Sequence, residues 1–129
     1  MDKLNQIEKE LIEADPETMQ SVNSLIELGS RLATYIAYTG SEVAKAKKAL
    51  LMAKKAAYFK AMEDLRKQGK EVAPSLVKDF VSTMCADQEE RYLLCERMNA
   101  ATTHHLMFIN TCISALKAEL KSINYGNLA

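Results

Sequence analysis

An all-α fold is the expectation for this chain, and three observations carry it. Ala, Leu, Lys, Glu and Met dominate, Trp is absent and aromatics make up only 6% of the 129 residues, so residues with high helix propensity prevail. Four Gly and two Pro leave few breaks, and no β-branched run flanked by turn residues reads as a strand. Apolar residues recur at three-four spacing over long stretches, which is the period of a helix with one buried face. An apolar content of 48% is enough for a packed core, and the length fits one domain spanning 1–129.

The first element is a short acidic helix within residues 1–15, running over 3–13 with Asp2 as its cap. Asp15-Pro16 opens the second, with Asp15 as N-cap, Pro16 at the first helical position and Glu17 favoured by the helix dipole. From there Val22, Leu25, Leu32, Ile36, Val43, Ala46, Leu50, Ala53 and Ala57 form one seam, with Gly29 and Thr39 filling intermediate positions. This predicts a single long helix over 16–69, closed by Gln68-Gly69. Gly29 and Gly40 each cost about 1 kcal/mol relative to Ala, yet the seam continues past both.

Lys70 to Pro74 reads as a loop, and Pro74-Ser75 starts a short helix reaching Met84, so 70–86 is the turn-back segment. Asp87 and Glu90 have capping-box spacing and predict a second long helix over 87–125. Its seam is Leu94, Met98, Ala101, His105, Phe108 or Ile109, Cys112, Leu116, Leu120 and Ile123, and Asn124-Tyr125-Gly126-Asn127 ends it. Helices of about 50 and 35 residues are about 75 and 50 Å long. The expected architecture is therefore an extended hairpin of two long antiparallel helices with short accessory helices. A two-helix hairpin leaves Leu28, Leu51, Met52, Phe59 and Met62 uncovered, which predicts a helical homo-oligomer.

Whole-chain charge is zero, but it is unevenly placed. Residues 1–30 hold seven acids against Lys3 and Lys9, whereas residues 45–70 hold nine Lys/Arg against Glu63 and Asp64. Lys45, Lys47, Lys48, Lys54 and Lys55 project away from the Val43/Leu50/Ala57 seam, and Lys60, Arg66, Lys67 and Lys70 continue them. A cationic ridge on a rod suits a polyanion, and Tyr58 and Phe59 between the lysines offer stacking surfaces for unpaired bases. A purely solvated face, with Tyr58 and Phe59 in the core, is the alternative reading.

Other chemistry finds little support. His104-His105 is the only histidine pair, and adjacent helical residues diverge too far to share a metal, so no metal or other cofactor is expected. Glu89, Glu90 and Glu96 read as a capping and solvent face. Cys85, Cys95 and Cys112 have no CxxC spacing, and Cys95 and Cys112 fall near the last seam as small hydrophobes. Neither a nucleophile-base arrangement nor a phosphate-cradling glycine loop is present, which argues against an enzyme. No apolar stretch approaches the roughly 18–20 residues of a membrane span. With no charged-then-apolar leader, the expected compartment is the cytoplasm.

Lys54-Lys55-Ala56-Ala57-Tyr58-Phe59-Lys60-Ala61 running to Gly69, Lys78-Asp79-Phe80-Val81-Ser82 through Ala86-Asp87, and Cys112-Ile113-Ser114-Ala115-Leu116-Lys117-Ala118 follow one another. This order of features, over about residues 21–122, resembles the UvsY-type recombination mediators of T-even bacteriophages. Met62-Glu63-Asp64-Leu65-Arg66 stands where that family has an aromatic-rich end, and its basic residues carry over to Lys54, Lys55 and Lys60. The resemblance implies a non-enzymatic, ring-like homo-oligomer in the bacterial host cell. Such a protein binds single-stranded DNA and helps load a RecA-like recombinase onto strands covered by single-strand-binding protein. A role in contacting a basic partner or covering the ridge is then open to the acidic segment Glu8 to Glu17. The competing expectation is a helical structural or interaction protein, such as a virion component, adaptor or anti-defence inhibitor, that does not bind nucleic acid.

Overall fold

The computed structural model describes residues 3–14, 21–69 and 73–128, with side chains described to residue 123. Four helices follow in order: α1 (Lys3–Glu13), α2 (Val22–Lys67), α3 (Pro74–Met84) and α4 (Ala86–Leu128). No strand occurs among the described residues, and no helix there is long and apolar enough to cross a membrane. The all-α expectation is met, and the two long helices pack together as expected.

Local chemistry explains most of the boundaries. Ser21 is not helical, so α2 starts at Val22. There the Ser21 hydroxyl accepts the Ser24 N–H at 3.4 Å, satisfying one of the donors a helix start leaves open. The expected caps Asp2 and Asp15, with Pro16 and Glu17, lie outside the described residues, as does Lys70. Neither Gly29 nor Gly40 breaks α2. Gly69 closes it in the left-handed conformation (φ 69°), its N–H donating to Arg66 O at 3.1 Å. Pro74 occupies the first turn of α3, where a missing N–H costs nothing.

Three boundaries differ from expectation: α2, expected from Pro16, starts at Val22, and α4 departs at both ends. Asp87 is not an N-cap, because α4 already begins at Ala86; instead Asp87 and Glu89 lie in its first turn, facing the positive end of the dipole. The corner between α3 and α4 is one residue, Cys85, whose N–H donates to Val81 O and whose carbonyl accepts from Glu89 N–H, both at 3.0 Å. At the other end, Asn124 to Asn127 do not stop α4, which runs to Leu128.

The chain packs as two units, one of residues up to Gly40 together with those from Arg97 onward, the other of Ser41–Glu96. In the first, α1 buries Leu4, Ile7 and Leu11, α2 buries Leu25, Leu28, Leu32, Tyr35 and Thr39, and α4 buries Met98, Thr102 and Ile109. Lys3 Nζ sits 4.8 Å from the centre of the Tyr38 ring, and Glu10 bonds Tyr35, so α1 is fastened to α2 at both ends. Leu28, expected to be uncovered, is therefore core: the two-helix reckoning omitted the third helix of this unit. Within it α2 and α4 are antiparallel, since Gly29 approaches Leu106 and Ile109 while Gly40 approaches Asn99.

The α4 seam is rephased. Ala101 is exposed while Thr102 is fully buried, as are Cys95 and Ile109. Leu120 and Ile123 are each 53% exposed, so the expected stripe does not persist to the end.

The second unit has a leaner core. Leu50, Ala57 and Cys85 form its centre, with Ala53, Val81 and Tyr92 packed against them. Ala46, Ala61, Val77 and Cys95 complete its buried apolar residues. Burying a Leu or Val contributes about 1.5–3 kcal/mol, against about 0.8 per methylene-sized group. The alanines here let helices approach but contribute little, and the larger apolar groups Leu51, Met52, Tyr58 and Phe59 stay outside.

Candidate nucleic-acid interface

The buried residues Ala46, Leu50, Ala57 and Ala61 mark the inward stripe of α2 in the second unit. At about 100° per residue, Lys48, Lys55 and Arg66 lie almost opposite that stripe. Lys47, Lys54 and Tyr58 fall on the flank toward α3, and Lys45, Lys60 and Lys67 on the other flank. All of these side chains are exposed except Lys54, which is half-buried. The expected single ridge is thus divided: Lys60 does not share a face with Lys54 and Tyr58.

Charge pairing follows the same division. Lys45 pairs with Glu42 at 3.4 Å and Lys67 with Glu63 at 3.2 Å, and Glu42 also accepts from Arg91 at 3.3 Å. The exposed Lys67–Glu63 pair contributes about 0–1 kcal/mol, whereas Glu42 is only 16% exposed; together they place carboxylates beside two of the cations. Among the described residues, Lys47, Lys48, Lys54, Lys55, Lys60 and Arg66 make no ion pair. Cationic character therefore concentrates on the outer face and on the α3 flank.

There α2 and α3 enclose an open groove of about 760 Å³, a size suited to a small flat group. Met62, Val77 and Val81 supply its apolar lining, and Lys54, Lys55 and Lys78 stand around it with no carboxylate among the lining residues. Tyr58 and Phe59 also line it, 48% and 60% exposed, with ring centres 6.0 Å apart and planes at 70°. The reading that put both rings in the core does not hold. Since the rings are nearly perpendicular, a flat base stacking on one meets the other as a wall.

Two smaller hollows border the groove along α2. Ala44, Lys47, Lys48, Leu51, Met52 and Lys55 line one. Tyr58, Phe59, Met62, Glu63, Arg66 and Lys67 line the other. Among the nine expected binding residues, Lys54, Lys55 and Tyr58 meet in the groove, Lys47 and Lys48 in the first hollow, and Arg66 and Lys67 in the second; Lys45 and Lys60 line none of the three. Sequence reasoning missed Lys78 and the apolar α3 wall. Val77 and Val81 are four residues apart with Lys78 beside them, a spacing that places all three on adjoining parts of one helix face.

His104 is exposed and His105 half-buried, and no cluster of three or more His, Cys, Asp or Glu side chains suited to a metal is found among the described residues. Comparison of the chain with protein-family models, curated proteins and solved structures finds no match.

Proposed function

We propose that this protein binds single-stranded DNA through the α2–α3 groove and the lysines leading to it, without catalysis. The observation that carries the reading is the placement of two exposed aromatic rings, Tyr58 and Phe59, over an apolar floor and beside three lysines that make no ion pair among the described residues. Stacking is insensitive to base identity, and lysine contacts follow the phosphate chain, so such a site grips a strand regardless of sequence. Lys47-Lys48 and Lys54-Lys55 repeat after seven residues, about 10 Å along the helix. Two cation pairs thereby line a path to the rings. Repeating that path in a homo-oligomer multiplies the grip without new contacts.

Its place in recombination, as an accessory factor helping a RecA-like recombinase onto DNA covered by single-strand-binding protein, rests on the resemblance to the UvsY-type mediators. A second reading, a helical structural or interaction protein, draws support from Leu51 and Met52, which are 57% and 63% exposed and have no part in holding a strand.

The deciding measurement is binding of a fluorescently labelled single-stranded oligonucleotide across a salt series. Under the proposal affinity falls with a clear negative log–log slope and Tyr58→Ala weakens it. No binding at low salt would leave the interaction-protein reading in its place. Stimulation of a recombinase on protein-coated strands then tests the mediator role separately.

A further inference from the structure

The groove differs at its two ends. On the flank of α2 that faces α3, Lys54, Tyr58 and Met62 follow one another at intervals of four residues, and Lys55 and Phe59 repeat the first two members one row further out. Residues four apart on a helix lie one above the other, so each row begins with an ammonium group and passes to an aromatic ring. The third helix runs back along this flank: Val81, near its end, packs on the core of Leu50, Ala57 and Cys85, which leaves Pro74 at the Met62 end. Ser82 then brings a hydroxyl to the Lys54 end, and Lys78, one turn before it, faces the middle of the groove. Past Met62 the next hollow adds the carboxylate of Glu63, paired with Lys67 at 3.2 Å. The groove therefore welcomes negative charge on one side of the rings and not on the other.

A continuous strand carries a phosphate on both sides of each base. A nucleoside polyphosphate gathers its charge on one side of a single base, which is the distribution this groove complements. We infer that the groove also holds a free nucleoside di- or triphosphate, its base against Tyr58 and Phe59 and its phosphates toward Lys54, Lys55 and Lys78, and that this ligand competes with the strand. The volume of about 760 Å³ admits one such molecule, and the two rings at 70° give its base one face to stack on and one edge to meet. No carboxylate or histidine lines the groove to activate water, so the nucleotide is a ligand here and not a substrate. Strand affinity becomes dependent on nucleotide concentration, a control built into the binding site. The inference rests on the account of the groove given under Proposed function, rings beside lysines, and not on the strand itself.

The test is isothermal titration of the whole chain, at low salt without added magnesium, with adenosine triphosphate, adenosine monophosphate and inorganic tripolyphosphate. Adenosine triphosphate should bind about tenfold tighter than tripolyphosphate, which has the charge without the base, and tighter than the monophosphate, which has the base with less charge. Tyr58→Ala should abolish the first difference and Lys78→Ala should shrink the second. Saturating adenosine triphosphate should also displace a labelled oligonucleotide. A triphosphate that binds no tighter than tripolyphosphate, or no tighter than the monophosphate, overturns the inference. So do differences that survive both substitutions. If either variant loses its helical circular dichroism, the wild-type comparison of the three ligands decides. Oligonucleotide binding that adenosine triphosphate does not displace overturns this inference and leaves strand binding in place. Selective triphosphate binding by a chain that takes up no oligonucleotide overturns strand binding and leaves the nucleotide site in place.

Discussion

Asn99 donates through Nδ2 to the hydroxyl of Thr39 at 3.0 Å, and to Ile36 O at 3.3 Å, joining α4 to α2 through a polar contact between the two helices. Thr39 is fully buried and its own hydroxyl donates to Ile36 O at 3.2 Å. An apolar seam nearly repeats each turn, so sliding one helix past the other costs little by itself. A polar pair with Thr39 buried and Asn99 half-buried makes such a slide costly, since a displaced Asn99 would lose its partners.

Thr39→Val keeps the shape and removes the acceptor. It should lower unfolding free energy by about 1 kcal/mol, read as a lower urea midpoint at unchanged slope. An unchanged midpoint would show that the contact does not hold the register.

Gly29→Ala should do the opposite. The added Cβ would lie 3.6 Å from Leu106 Cδ1 and 3.7 Å from Ile109 Cγ2, ordinary contact distances, and Ala loses less conformational freedom on entering a helix. A gain of about 0.5–1 kcal/mol is expected, visible as a raised melting temperature. Gly29→Leu, which overfills the same gap, should lower it.

Alkaline pH should weaken the first unit. The hydrogen bond to Glu10, then burial, then the Glu10 charge hold the Tyr35 hydroxyl above its ordinary value of 10.0. The folded chain keeps this proton where the unfolded chain has released it, so the stabilisation is complete below about pH 10 and is lost as pH climbs through the raised value. Tyr35→Phe should be less stable at neutral pH and show a shallower alkaline decline. Equal decline in variant and parent would contradict the linkage. The Glu96 hydrogen bond also raises Tyr92, so the measurement is best repeated in a Tyr92→Phe background.

Within the groove, Tyr58→Ala and Phe59→Ala should each weaken single-strand binding by no more than about 1–3 kcal/mol, the worth of one stacked base. Lys54→Ala/Lys55→Ala should also flatten the log–log salt slope by about 0.7 for each phosphate that is no longer neutralised. Lys60→Ala, on the opposite flank, should change neither. A Lys60 effect as large as that of Lys54 would mean that the strand follows a different face.

Much of this architecture was legible from residue order because its signals are local. Gly69 and Pro74 punctuate the chain where only those residues are cheap, and the α2 seam keeps one spacing from Leu25 to Ala57. The α4 seam misled at Ala101 and Thr102. Threonine reads as polar, yet the Thr102 hydroxyl donates to Met98 O at 2.7 Å, which satisfies it inside the helix and lets it go into the core. The site was half legible. Charge and aromatic content flagged Lys54, Lys55 and Tyr58, but their meeting with Lys78 depends on how α3 folds back, a relation between distant segments that no local spacing encodes.

The one-residue corner at Cys85 gives the molecule a built-in clock. Cys85 and Cys95 are 1% and 0% accessible, whereas Cys112 is half-buried, and no disulfide ties up any of the three. Alkylating reagent should label Cys112 promptly and then wait for the Ser41–Glu96 unit to breathe before reaching the other two. The lag between first and later labels therefore times the opening of the region that carries the groove, without any introduced probe.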